Sequence, residues 1–155
     1  MPRIESSVLI NAPRSQVLDV ARDNEAFPTF MADLRSLSVL EKSDDGNRIV
    51  SEWVGVVPKF GTTIRWTEED VWDLRAGTCT FRQIKGDYKQ FEGVWTFTAE
   101  SGDQTRFASV LDYEIEIPLV GPLIKAIVKK AVQDNLDSTL NAIKQRCEAG
   151  VVSGQ

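Results

Sequence analysis

Apolar and polar residues alternate along most of the first 117 positions of this chain, and a helical spacing of apolar residues follows. Alternation with a period of two is typical of a strand that buries one face, whereas a repeat every three to four residues is typical of an amphipathic helix. The final third therefore differs in kind from the rest. A strand over Phe107–Ile117 leads through the Pro- and Gly-containing connection 118–122 into one long helix.

The long helix is predicted from a stripe of apolar residues, which are Val120, Ile124, Ile127, Ala131, Leu136, Leu140, Ile143 and Cys147. Such a stripe covers roughly eight turns, whereas an average helix has about three. Because the chain before it is predicted to form mainly short strands, the stripe must be buried against a sheet. A single sheet that packs against a single helix leaves a space between them, and that space is the main clue to function.

Before this helix the pattern predicts further strands and two short helices. A strand over Ile4–Ile10 is followed by a helix that begins near Pro13 and by a second short helix from Asp23 to Met31. Five more strands are predicted at Leu34–Lys42, Arg48–Val57, Thr62–Leu74, Thr78–Ile84 and Gln90–Glu100. Short, turn-rich separators predict antiparallel neighbours, and one of them, 44–47, is interpreted as a hairpin turn rather than a cation site.

Size, charge and cysteine content restrict the class of protein. The 155 residues suit one domain, which we expect over 1–149 with a flexible tail at 150–155. A net charge of −5 argues against a nucleic-acid partner, which requires a clustered basic surface. No signal peptide or membrane-spanning stretch is evident, and Cys79 and Cys147 fit a reducing compartment. We therefore expect a cytoplasmic monomer or homodimer.

The chain contains no histidine. This excludes a Ser-His-Asp triad, a Cys-His pair and a histidine general base. Zinc sites draw on histidine or on clustered cysteines, and the sequence offers neither. We therefore expect no metal ion and no cofactor, and any catalytic base would have to be a carboxylate.

The order of elements, together with Asn11-Ala12-Pro13 after the first strand, resembles the helix-grip fold of the START and pollen-allergen superfamily, also called SRPBCC. Segments 17–30 and 86–97 are similar to the polyketide cyclase/dehydrase and coenzyme Q-binding family. The resemblance implies an α+β fold in which a seven-stranded antiparallel curved sheet surrounds the long C-terminal helix, with two short helices after strand 1. It also implies binding of a lipid-like molecule, although this fold hosts carriers, cyclases and hydrolases alike.

Alternation predicts which side chains face the helix. The expected apolar lining consists of Trp53, Ile64, Trp66, Phe91, Trp95, Phe97 and Tyr113 from the strands and Ile124, Ile127 and Val128 from the helix. For any single aromatic residue of this set, ordinary core packing is the preferred explanation. Taken together, so many large apolar groups with few polar ones describe a pocket for an apolar ligand.

Four charged residues of the strands have two possible orientations. Glu68 and Asp70 share the alternation of Trp66 and would point inward, but a bulge near Thr67 would turn them outward. We expect the outward or rim position, because unpaired carboxylates are rarely buried. Arg65 and Arg82 are also expected on the solvated outer face, where they would pair with acids of neighbouring strands.

One end of the predicted sheet collects four connections, at 28–32, 56–61, 85–89 and 118–122, which carry many apolar side chains. The adjoining helix start holds Lys125, Lys129 and Lys130 with no acid before Asp134. Two interpretations stay open. The connections form either a cavity mouth that makes transient contact with an anionic membrane surface, or a closed lid beside a helix that the lysines keep soluble.

These observations support three functional hypotheses. The first is binding, with transport or chaperoning, of a hydrophobic small molecule such as a quinone, isoprenoid, lipid or polyketide in an internal cavity, without chemistry. The second is a polyketide cyclase/aromatase or dehydratase, in which Tyr113 and Arg82 or Arg65 orient carbonyl groups and Glu68 is the base. The third, implied by the resemblance to ribosome-associated toxins, is a ribosome- or protein-interacting module. The sequence does not identify the ligand.

Overall fold

The computed structural model describes residues 3–57, 62–115 and 122–153. Its strands are β1 (Arg3–Ile10), β2 (Leu34–Lys42), β3 (Arg48–Val57), β4 (Thr62–Asp73), β5 (Thr78–Gly86), β6 (Gln90–Glu100) and β7 (Gln104–Glu114). Helix α1 (Arg14–Arg22) and a 3₁₀ helix (Asn24–Thr29) lie between β1 and β2, and helix α2 (Pro122–Ser153) follows the sheet. This is the order of elements that the sequence predicts.

The seven strands form one antiparallel sheet in the order β1-β7-β6-β5-β4-β3-β2. Strands β2 to β7 are joined by short connections and pair with their neighbours in the chain, as expected for a meander. Strand β1 completes the sheet at the other edge, where Ile4 pairs with Leu111 and Val8 pairs with Phe107. The predicted α+β helix-grip architecture is confirmed.

Hydrogen bonds join helix α2 to strand β1 along much of its length. The side chains of Gln133 and Lys144 donate to the backbone carbonyls of Glu5 and Leu9, at 3.0 and 2.8 Å. Between them, the Ser6 hydroxyl donates to Asp137 at 2.7 Å. Since edge-strand carbonyls have no second strand to pair with, these side chains satisfy polar groups at the same time as they position the helix.

Burial along α2 divides the helix into two halves. Leu136, Leu140, Ile143 and Cys147 belong to the predicted stripe and are all buried, three of them with no exposed surface. Ile127 and Val128 are only half-buried. The C-terminal half of α2 therefore packs tightly in the core, whereas the described side chains that precede Leu136 in its N-terminal half, from Lys125 onwards, are at most half-buried.

The largest differences from the sequence-based boundaries are found at turns. Strand β7 begins at Gln104 instead of Phe107, because Gly102 and Asp103 have φ angles of 71° and 57° and complete a tight turn. The second short helix is a 3₁₀ helix that contains Pro28, which lacks an N–H for helical bonding. Helix α2 includes residues 150–153, at the start of the segment expected as a tail.

The segment 44–47 is a hairpin turn, as predicted. The Asp45 carboxylate accepts hydrogen bonds from the Ser43 hydroxyl and the Asn47 backbone N–H, at 2.7 and 2.9 Å. Gly46 has a φ of 74°, which a residue with a side chain rarely adopts. The acidic side chain therefore stabilises the turn itself.

Candidate functional site

Aromatic side chains cover the inner face of the sheet, the face that packs against α2, in two groups. The loop-end cluster, near connection 87–89, consists of Trp53, Trp66, Tyr88 and Phe91. Trp66 is at its centre, with ring centroids 5.6 Å from Trp53, 5.6 Å from Tyr88 and 5.5 Å from Phe91. The hairpin-end cluster, near the turn between β4 and β5, consists of Trp72, Trp95, Phe97 and Phe107, in which Phe97 stacks on Phe107 at 4.6 Å.

Phe81 connects the two clusters. Its ring lies 5.7 Å from Phe91 and 6.2 Å from Trp95. The ring can cross strand β6 only because residue 93 is glycine, since a Cβ atom there would lie 2.6 Å from the tip of Phe81. Phe81 thus lies on the inner face, and an aromatic wall runs along this face from one end to the other.

The rings of the two clusters are not all buried to the same extent. Trp72, Phe97 and Phe107 are buried in the core, whereas Trp66, Tyr88, Phe91 and Trp95 are half-buried although they lie on the inner face. Large rings in a filled core have almost no accessible surface. The exposed part of these four rings therefore indicates an opening beside them, on the side where α2 is also incompletely packed.

The residues predicted to line a pocket fall into three groups. Trp53, Ile64, Phe97 and Tyr113 are buried, and Trp66, Phe91, Trp95, Ile127 and Val128 are half-buried, while the side chain of Ile124 lies outside the described residues. Phe97, between Phe107 and Trp72, belongs to the core rather than to the opening.

Two carboxyl groups lie on the inner face between the aromatic clusters. Glu68 and Asp70 are 5% and 4% exposed, and neither forms an ion pair with a described residue. Glu68 accepts a hydrogen bond from the indole N–H of Trp66 at 2.7 Å. Asp70 accepts one from the side-chain amide of Asn24 at 3.3 Å. We call these two residues the carboxyl pair.

The expectation that Glu68 and Asp70 point outward or lie at the rim is wrong. A register irregularity does occur beside Thr67, but the extra residue, Ile84, belongs to the partner strand β5. Strand β4 keeps its alternation, so that Trp66, Glu68, Asp70 and Trp72 all lie on the inner face. Ile84 is 48% exposed instead.

The environment of the carboxyl pair favours protonation. Burial raises the pKa of Glu68 well above its ordinary value, and the adjacent Asp70 carboxylate raises it further. Burial also raises the pKa of Asp70, although hydrogen bonds with Glu68 and Asn24 act in the opposite direction. The pair therefore retains a proton at a pH at which two exposed carboxyl groups would have lost both.

Other polar groups surround the carboxyl pair. The Cys79 thiol has its pKa raised by burial and by the charges of Asp70 and Glu68. Burial raises the pKa of Tyr88, with smaller contributions from Tyr113 and Glu68. The Tyr88 hydroxyl is therefore neutral near the pair at ordinary pH, and it is able to donate or accept hydrogen bonds.

Arg65 and Arg82 are exposed on the outer face, as expected from the sequence. Arg82 forms an ion pair with Glu69 at 3.1 Å, and the same carboxylate accepts a hydrogen bond from Arg48 at 2.7 Å. These contacts keep the charge of Arg82 on the side of the sheet opposite to the carboxyl pair. An enzymatic role for a pocket arginine, as in the second hypothesis, is therefore not supported by either residue.

A comparison with protein-family profiles identifies the family of the chain. The sequence profile described as polyketide cyclase / dehydrase and lipid transport matches residues 10–139. The chain belongs to this family. A comparison with curated protein sequences found no match.

Solved structures show the same family fold. The protein TTHA0849 from Thermus thermophilus is 34% identical, with 96% of this chain and 99% of that chain covered and a TM-score of 0.88. The Zhui aromatase/cyclase from a Streptomyces species is 18% identical over 97% and 95% of the two chains, with a TM-score of 0.87. A STAR-related lipid transfer protein from Xanthomonas axonopodis is 16% identical over 94% and 85%, with a TM-score of 0.74.

None of the described helices is long and apolar enough to cross a bilayer.

Asn24 and the inward position of the carboxyl pair were missed as site features by sequence reasoning. The alternation of Trp66, Glu68, Asp70 and Trp72 carried the signal for the pair. No pattern in the sequence indicates that Asn24, which is separated from Asp70 by 46 positions, contacts it.

The carboxyl pair should make stability depend on pH. Folding raises both pKa values, so the folded chain holds a proton that the unfolded chain releases above about pH 4 to 5. Stability should therefore fall as pH rises from 5 towards 8. Each unit by which folding raises a pKa lowers the free energy of unfolding at the higher pH by about 1.4 kcal/mol. A Glu68→Gln/Asp70→Asn variant should lack this fall and be more stable than the wild type at pH 8, as measured by urea unfolding.

A Glu69→Gln variant is the matched control, because Glu69 lies on the outer face and its pKa is lowered by Arg48 and Arg82. The chain has no histidine to titrate in this range. Among the described ionisable groups near the pair, Cys79, Tyr88 and Glu69 keep their charge states between pH 5 and 8. Equal pH dependence in the wild type and the double variant would contradict the assignment.

Proposed function

We propose that this protein binds an apolar small molecule between the inner face of the sheet and the N-terminal half of helix α2. The observation that carries the proposal is the incomplete burial of Trp66, Phe91 and Trp95 on the face where core residues should be covered. Ile127 and Val128 of α2 are half-buried as well. Such a site is mainly apolar with a few polar groups, as small-molecule sites usually are.

The comparisons support the same kind of ligand. The family description names polyketide cyclases and lipid transport, and two structural neighbours are named as an aromatase/cyclase and as a lipid transfer protein. Quinones, isoprenoids, lipids and polyketides share a large apolar body, which the aromatic wall would cover. Burial of that body in the protein and its later release would make the protein a carrier or chaperone for such a molecule.

A hydrocarbon probe tests the binding site directly. Diphenylhexatriene should bind saturably to the wild type, with a rise in its fluorescence, and native mass spectrometry of freshly purified protein should show a bound apolar molecule. Phe91→Ala should weaken binding of the probe by about tenfold, because a buried aromatic side chain contributes roughly 1.5–3 kcal/mol. Val71→Ala, on the outer face and 44% exposed, should leave binding unchanged.

Circular dichroism of both variants shows whether they remain folded. The proposal is wrong if the folded wild type neither retains an apolar molecule in native mass spectrometry nor increases the fluorescence of the probe. Equal loss of binding in Phe91→Ala and Val71→Ala would show that the site does not lie on the inner face.

The inward position of Glu68 favours a second candidate function, acid–base catalysis on a bound polyketide. A buried carboxyl group with a raised pKa can give or take a proton near neutral pH, and Tyr113 lies on the same face. Of the residues in the sequence-based enzyme hypothesis, this candidate function uses Glu68 and Tyr113 but neither Arg65 nor Arg82.

For this candidate, Glu68→Gln should lower kcat for cyclisation of a poly-β-ketone probe by about a hundredfold, as loss of an acid–base group does. Arg82→Ala should leave kcat unchanged, since Arg82 pairs with Glu69 outside the sheet. Diphenylhexatriene binding, measured in parallel, separates loss of chemistry from loss of the site. A wild type that binds the probe but leaves the polyketone uncyclised would reject catalysis and retain binding.

Transient contact with an anionic membrane surface is a further part of the proposal. Lys125, Lys129 and Lys130 are exposed at the start of α2, although Lys130 pairs with Asp134 at 2.9 Å. The adjoining connections 58–61 and 116–121 lie outside the described residues.

Replacing Lys125, Lys129 and Lys130 with glutamate should lower the affinity for phosphatidylserine-containing liposomes, measured by co-sedimentation, by roughly a hundredfold, since each basic residue near such a surface contributes about 1 kcal/mol. Uncharged liposomes provide the control. Unchanged co-sedimentation with the anionic liposomes would remove membrane contact from the proposal and leave ligand binding intact.

A further inference from the structure

Buried polar atoms without partners are concentrated around the carboxyl pair. The side-chain oxygen of Asn24 and the indole N–H of Trp72 have no hydrogen-bond partner in the described part of the chain. The Nε atom of Arg22 also lacks a partner there. The Oδ1 atom of Asp70 has no partner other than a proton that Glu68 shares with Asp70. Buried polar atoms are nearly always hydrogen-bonded, so such a concentration indicates a polar group that the protein is built to receive.

Contacts between their side chains place these atoms together. Asn24 and Asp70 are joined by the 3.3 Å hydrogen bond, and Asn24 is itself only 4% exposed. Trp72 follows Asp70 on the same face of β4, and the Arg22 guanidinium lies 5.8 Å from the centroid of the Trp72 ring. Two acceptors, from Asn24 and Asp70, and two donors, from Trp72 and Arg22, therefore surround one region.

The mixture of donors and acceptors restricts which polar group of a ligand could bind there. A carboxylate only accepts hydrogen bonds, so it would leave Asn24 and Asp70 without a donor and would add negative charge beside a buried carboxyl pair. An ammonium group only donates, so it would leave Trp72 and Arg22 without an acceptor. A hydroxyl group donates one hydrogen bond and accepts up to two. Since Asp70 already shares a proton with Glu68, the hydroxyl can donate to Asn24 and accept from Trp72 and Arg22.

The position of the pair also fits a ligand that is polar at one end. Glu68 is bonded to Trp66 of the loop-end cluster, and Asp70 lies next to Trp72 of the hairpin-end cluster. An apolar body that lies along the half-buried rings of Trp66, Phe91 and Trp95 would bring its terminal group to the carboxyl pair.

We infer that the carboxyl pair, with Asn24, Trp72 and Arg22, binds the hydroxyl group of an apolar alcohol or phenol, and that this group selects the ligand. This inference rests on the proposed binding function and adds the chemical class of the ligand to it. Fatty acids and alkyl amines with the same apolar body are the classes that the site disfavours.

Three probes with the same chain length test the inference without any mutation. Dodecanol, dodecylamine and dodecanoate are used to displace diphenylhexatriene from the full chain at pH 7.5, below the concentrations at which they form micelles. Dodecanol should bind at least about tenfold more tightly than either charged probe, because each of those leaves buried groups unpaired.

Asp70→Leu is the matching variant, since leucine has nearly the shape of aspartate without its oxygens. It should remove the advantage of dodecanol over the charged probes, each affinity being compared with that of diphenylhexatriene for the same variant. Glu69→Leu, on the outer face of the same strand, should preserve the wild-type order of affinities.

The outcomes separate the two levels of the proposal. Equal affinities for the three probes, or tighter binding of dodecanoate or dodecylamine, would overturn the hydroxyl inference while apolar binding stands. Failure of diphenylhexatriene to bind the wild type would overturn both. Retention of the full dodecanol preference in folded Asp70→Leu would also overturn the inference, because the preference would then arise elsewhere.

Discussion

The attachment of helix α2 to the edge strand β1 is the constraint on which the rest of the structure depends. Gln133, Asp137 and Lys144 are hydrogen-bonded to β1, and Leu140 and Ile143 are buried below them. These hydrogen bonds span Gln133 to Lys144 of the 32-residue helix, and the described side chains before Gln133 are at most half-buried. The fold thus combines a tightly packed core with a part of the inner face that is less completely buried.

The carboxyl pair shows how such a site departs from the rules that govern the core. An apolar residue at position 68 or 70 would cost the folded state less than a buried carboxyl group does. The local pattern of β4 is otherwise that of an ordinary half-buried strand. Departures of this kind are expected where a protein gives up stability for a specific interaction, and here the departure lies between two aromatic clusters.

Much of the fold could be predicted from the sequence, because alternation and helical spacing are local properties. The bounds of β2, β3 and β6 and the buried stripe of α2 were obtained in this way. The orientation of Glu68 was not, because the irregularity beside it is absorbed by Ile84 of the partner strand. Its prediction requires the register between two strands, which no single segment encodes. The contact between Asn24 and Asp70 is equally non-local.

The distribution of tryptophan has a consequence for spectroscopy. All four indole rings, those of Trp53, Trp66, Trp72 and Trp95, lie on the inner face, and the outer face has none. The ultraviolet emission of the protein therefore originates entirely from the interior. A ligand that binds beside these rings should change the wavelength or the intensity of this emission, so that binding can be followed without a label.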